Sequence, residues 1–142
     1  TFVTVIDTSG SVEEEKLRRF LEKTYQILKS GQKSEDRVNF HLIQCDALVQ
    51  KDVKITSEKE LEQVMEDLTL YGRGGTDFRP AFEYVNKLID TGEIKKLQGL
   101  LYFTDGKGRY PKKKMPYQTA FVFIDKMSEC EVPAWAMKVE LE

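Results

Sequence analysis

The stretch VIDTSGSV, residues 5–12, sets Asp7, Ser9 and Ser11 at alternate positions directly after an apolar run. Taken locally, Asp and Ser are turn and helix-cap residues. Taken as donors, a carboxylate and two hydroxyls converging at the end of a strand can hold a hard cation. Two further segments offer the same kind of oxygen: YGRGGTDFRP, with Thr76 in a glycine-rich loop, and FTDG, with Asp105 at the end of another apolar run. If the three segments meet, Asp7 and Asp105 face each other, repel and are desolvated, which destabilises the pair unless a cation sits between them. An all-oxygen set disfavours soft metals and favours Mg²⁺, with Mn²⁺ and Ca²⁺ as alternatives. Each motif also has a plainer reading, Thr76-Asp77 as a cap for the helix at Pro80 and Asp105-Gly106 as a turn. Turns alone do not account for all three coinciding.

Whether the loops meet depends on the elements that carry them. TFVTVID is β-branched and apolar without strict alternation, as suits a strand covered on both faces in a parallel sheet. Leu17, Phe20, Leu21, Thr24, Ile27 and Leu28 then recur at helical spacing up to Gly31. RVNFHLIQCD and LVQKDVKI read as two strands joined by a tight CDA connection, the second antiparallel and near an edge. Ser57 and Glu60 form a capping box for a helix whose buried stripe is Leu61, Val64, Met65 and Leu68. Pro80 opens a helix carrying Phe82, Val85, Leu88 and Ile89 up to Gly92. GLLYFTDG, TAFVFID and AWAMKVELE supply three more strands, and Pro111 and Pro116 exclude a helix between the first two of these. Strands alternating with helices indicate an α/β layered fold with a mostly parallel sheet. Ligands of such sheets bind beyond the carboxyl ends of the strands, at a topological switch point. Placing the strand of Asp7 beside that of Asp105 creates the switch point and puts all three loops on one rim.

The bulk numbers leave this reading room. A chain of 142 residues, 40% hydrophobic and 32% charged with a net charge of −2, is an ordinary globular composition with one core and points to no nucleic-acid partner. Cys45 and Cys130 have no metal-ligand spacing, so a reducing, cytoplasmic setting is the simpler expectation. There is no apolar run of membrane-spanning length, and a start at Thr1 in a strand-like run suggests a domain, residues 1–142, cut from a longer chain.

DTSGS, GRGGTD and FTDG, in this order and on these elements, resemble the metal-ion-dependent adhesion site of von Willebrand factor type A (VWA) domains. The resemblance implies a Rossmann-like three-layer fold and a role in protein–protein interaction, with a Mg²⁺-type ion bound by an acidic side chain of a partner. It implies that Ser9 and Ser11 bind the ion directly, Thr76 directly or through water, and Asp7 and Asp105 mainly through water. GGTDFRPAFEY, the aromatic-proline loop after TDG, and a Pro and Trp before the last strand are similar to a narrower group, the VWA-like domain at the C-terminal end of bacterial metallopeptidase-type proteins. The chain departs from the wider family after Asp105, where C-terminal helices are reduced or missing. One sheet face is therefore expected to be partly bare and to dock on the N-terminal region of the parent protein or on a second copy as a homodimer.

The remaining candidates carry less. Arg73 and Arg79 flank Thr76 and would suit an acidic partner, although exposed arginines are usually solvated. Lys107, Arg109, Lys112, Lys113 and Lys114 form a basic loop on the same rim with no nucleic-acid motif to support it. His41, the only histidine, reads as a packed, hydrogen-bonded strand residue with no evident acidic partner, and Trp135 as core. No histidine lies in the site loops, and HExxH, GxSxG and P-loop patterns are missing, so the chain itself is not expected to be an enzyme. The alternative is an accessory domain of a metal-dependent hydrolase whose catalytic part lies outside this chain.

Overall fold

The missing alternation in TFVTVID has a direct cause: β1 (Phe2–Asp7) lies in the middle of a six-stranded sheet, and Val3 to Asp7 are all buried. The computed structural model describes residues 2–10, 13–30, 39–67, 69–72, 74–106, 108–124 and 131–141. After β1 come α1 (Glu14–Ser30), β2 (Phe40–Cys45), β3 (Val49–Ile55), α2 (Glu58–Glu66), α3 (Arg79–Asp90), β4 (Gly99–Phe103), β5 (Gln118–Ile124) and β6 (Met137–Leu141). The strand order is β3-β2-β1-β4-β5-β6, parallel throughout except for β3, which runs antiparallel to β2 at one edge. β1 is thus flanked by β2 and β4, with Asp7 in register with Cys45 and Ile6 with Phe103. The carboxyl ends of these three strands share one rim.

Helices cover both faces, giving three layers. On one face Ala81, Phe82 and Val85 of α3 pack with Val3, Val5, Ile43, Tyr102, Phe121 and Phe123. On the other, Leu17, Phe20 and Leu21 of α1 and Leu61 of α2 pack with Ile6, Leu42, Phe103 and Val122. Phe20 stacks on Phe103 with ring centroids 4.7 Å apart, fixing α1 against β4. The N-cap forms as expected, Ser57 Oγ accepting the Glu60 N–H, while Glu60 reaches one residue further back than a capping box requires, to the Thr56 N–H.

Three expectations are corrected. β6 begins at Met137, because Ala134 and Trp135 form a turn in which the indole N–H donates to the Pro111 carbonyl at 3.2 Å. Pro80 is the second residue of α3, not the first. The sheet is also less bare than the missing helices imply. No helix follows α3 among the described residues, but Tyr110, Met115, Tyr117 and Trp135 of the connections pack over β4 and β5 on the α3 face. On the α1 face Ala120 and Val122 of β5 are each 3% exposed, while Met137 on the edge strand is exposed. Gly31, Leu68 and Cys130 lie outside the described residues.

Candidate metal centre at the sheet rim

Asp7 is the last residue of β1 and has no exposed surface. Its carboxylate is held on both sides: Oδ1 accepts the Ser9 N–H at 2.9 Å and Oδ2 accepts the Thr104 hydroxyl at 2.6 Å. Thr104 in turn accepts the Gly106 N–H at 3.1 Å, turning the chain just after Asp105. Burial pushes the Asp7 carboxyl above the usual carboxylate range; hydrogen bonds from Thr104 and Ser9 pull it down, and the charge of Asp105 pushes it up again. Ser9 is itself buried, at 1% exposure.

The glycine-rich loop reaches the same rim. The Gly10 N–H donates to the Gly74 carbonyl at 3.0 Å, joining the loop after β1 to the loop of Thr76. The loop after β4 closes from the other side, where the Phe78 N–H donates to the Arg109 carbonyl at 3.0 Å. Gly108 leaves room for this contact: a Cβ there would lie 2.8 Å from both the Thr76 methyl and the Phe78 ring. Phe78 anchors the junction by packing against Tyr102, Tyr110 and Phe121.

The three motif loops therefore converge, and Asp7, Ser9, Thr76 and Asp105 all lie on them; Ser11 lies outside the described residues. Among the described residues no group of three or more His, Cys, Asp or Glu side chains is placed to hold a metal. A set of two carboxylates with hydroxyls contains no such group, and its donors are the hard oxygens that Mg²⁺, Mn²⁺ and Ca²⁺ take. A fully buried carboxylate with a second acid beside it fits a cation better than an empty rim.

The flanking residues divide. Arg79 is exposed and pairs with a neighbour in its own chain, its Nη2 2.7 Å from Asp77 Oδ2, and Asp77 also accepts the Arg79 N–H at the start of α3. The N-cap of α3 is Phe78, without a side-chain cap, so of the expected Thr76-Asp77 cap only the Asp77 bond to the Arg79 N–H forms. Arg109, Lys112, Lys113 and Lys114 are exposed; Arg73 and Lys107 lie outside the described residues. His41 does have an acidic partner, hidden by the fold: Nδ1 lies 2.9 Å from Asp52 Oδ1 across the β2–β3 pair, and the Tyr84 hydroxyl donates to the other oxygen at 2.6 Å. His41 is the second residue of β2, at the end away from the rim.

Sequence reading missed Thr104 and Asp46. Thr104 follows from strand adjacency, since Ile6 opposite Phe103 puts Asp7 beside it. Asp46, 6% exposed, is the acid immediately after β2, a strand ending on the same rim.

The family described as VWA-like domain (DUF2201) matches residues 2–142. An uncharacterised protein of Thermotoga maritima is 32% identical over 107 residues, covering 75% of this chain and 23% of its own length. The chain thus spans about a quarter of the curated relative it matches. Among solved structures, proximal thread matrix protein 1 from the mussel byssus, with a zinc-occupied MIDAS motif, superposes with a TM-score of 0.66 at 15% identity over 88% of this chain and 38% of that one. The SpRpn10 VWA domain superposes with a TM-score of 0.62 at 12% identity over 99% and 86%. The ArnB paralog VWA2 from Sulfolobus acidocaldarius gives 0.58 at 18% identity over 88% and 34%. At these identities the structures share the fold with this chain.

Proposed function

We infer, since the chain belongs to the VWA-like domain family (DUF2201), that it is a divalent-metal-dependent protein-interaction module. Asp7, Ser9, Ser11, Thr76 and Asp105 would hold a Mg²⁺-type ion. When bound, the ion offers an open position to an anionic oxygen, which a partner's acidic side chain supplies. The observation that carries this reading is the convergence of three separate loops at the rim where Asp7, a buried carboxylate that feels the charge of Asp105, ends its strand. The chain's own groups do the rest: Thr104 and the Ser9 amide fix the carboxylate, and the Gly10–Gly74 bond joins the Thr76 loop to the loop of Ser9.

No catalysis is assigned to this chain. Its one histidine sits at the far end of β2 and is committed to Asp52. The second reading, an accessory domain in a metal-dependent hydrolase, draws on the resemblance carried by GGTDFRPAFEY and the aromatic-proline loop after TDG.

Calorimetric titration with Mg²⁺ and Mn²⁺ tests the leading reading. Wild type is expected to bind one ion per chain, and Thr76→Ala and Asp105→Ala to lose it while keeping the far-ultraviolet spectrum, since both residues lie on loops. Equal uptake by wild type and both variants would contradict it.

A further inference from the structure

We propose that Asp46, which is not among the metal donors, fixes the glycine-rich loop in the conformation that presents Thr76, so that metal affinity depends on it. This rests on the metal reading above. Asp46 sits in the turn between β2 and β3, and its two carboxylate oxygens do different things. Oδ1 accepts the Leu48 N–H at 3.1 Å and the Gln50 side-chain amide at 2.9 Å, holding its own turn. Oδ2 accepts the Gly74 N–H at 3.0 Å, and the Asp46 carbonyl accepts the Asp77 N–H at 3.3 Å. The backbone on both sides of Thr76 is thus tied to one residue, and Gly74 passes the restraint to Gly10 in the loop of Ser9.

This tether explains Gly72 and Gly74 of the loop. A Cβ on Gly72 would lie 2.7 Å from Asp46 Oδ2, and the φ of +105° there already disfavours a side chain. A Cβ on Gly74 would lie 2.9 Å from the same oxygen. The carboxyl stays below the usual carboxylate range although burial pushes it up, because Gln50, Leu48 and Gly74 all donate to it.

The division of labour allows a selective test. In Asp46→Asn the amide oxygen can keep the two donors of the turn, which leaves the NH₂ facing the Gly74 N–H, donor against donor. Gln50→Ala removes a turn contact and spares the loop. Mn²⁺ titrations followed by electron paramagnetic resonance, at about 0.1 M and about 0.5 M salt, compare wild type with these variants and Gly74→Ala. Asp46→Asn and Gly74→Ala are expected to weaken Mn²⁺ binding about tenfold at both salt concentrations, the scale of one lost bond to a charged group, with Gln50→Ala within about twofold of wild type. Amide exchange over residues 74–78 should quicken in Asp46→Asn and not in Gln50→Ala. Wild-type affinity in Asp46→Asn, or a loss that disappears at the higher salt and so reports only a missing charge, overturns the tether alone. Failure of wild type to take up Mn²⁺ overturns the metal reading and this inference together.

Discussion

Asp7 is the residue on which the site turns, and its burial has a thermodynamic signature. A carboxyl whose folded pKa lies above its unfolded value binds its proton more tightly when folded, so its favourable contribution is present below the unfolded value and is lost as pH rises through the folded one. The ionised form therefore weakens the metal-free fold at neutral pH. Asp7→Asn should raise the Tm of the metal-free protein at pH 7 and, under the proposed metal role, abolish the rise in Tm expected of wild type on adding Mg²⁺; melting curves with and without Mg²⁺ check both. Asp52 matters through its hydrogen bonds, because both His41 and Tyr84 depend on it. Burial, with Asp52 as hydrogen-bond acceptor, pushes the Tyr84 phenol up to about 12. Asp52→Ala strands two partly buried groups and should cost about 2–3 kcal/mol in urea unfolding while leaving metal uptake unchanged. That the segments carrying Asp7, Ser9, Thr76 and Asp105 meet on one rim was legible from acids and hydroxyls placed just after apolar runs. Their supports were not: Thr104 and Asp46 act through partners that only strand order brings near, and Asp52 meets His41 only once β2 and β3 are in register.

At the scale of elements, periodicity identified what packing decides. α1 shows its buried stripe as Leu17, Phe20, Leu21 and Thr24, and α3 shows Phe82 and Val85. Phe20→Ala removes the ring stacked on Phe103 and should cost about 3–5 kcal/mol, read from the urea midpoint, with the slope unchanged. Boundaries were harder where irregular backbone buries apolar groups. Trp135 reads as strand because it is aromatic and apolar, yet its indole is used to pin the turn to Pro111. The segment from Gly108 to Tyr117 reads as a proline-broken loop, which it is, but its Tyr110, Met115 and Tyr117 serve as cover for the sheet. Aromatic side chains spaced without helical or strand period reveal that role only in three dimensions.

At the scale of the molecule, strand order makes the site. β1 sits between β2 and β4 while chain order separates β1 from β4 by three helices and two strands, so the rim of β2, β1 and β4 gathers loops remote in sequence. The alternation of strands and helices made this architecture legible, and the acids at the ends of apolar runs marked the rim. Among the described residues no helix is long and apolar enough to cross a membrane. The most direct measurement is anomalous diffraction from crystals of this domain grown with Mn²⁺. One peak beside the Ser9 hydroxyl, within the loops of Thr76 and Asp105, is the predicted result; well-ordered loops with no peak there, or a peak elsewhere alone, would contradict the metal-dependent role.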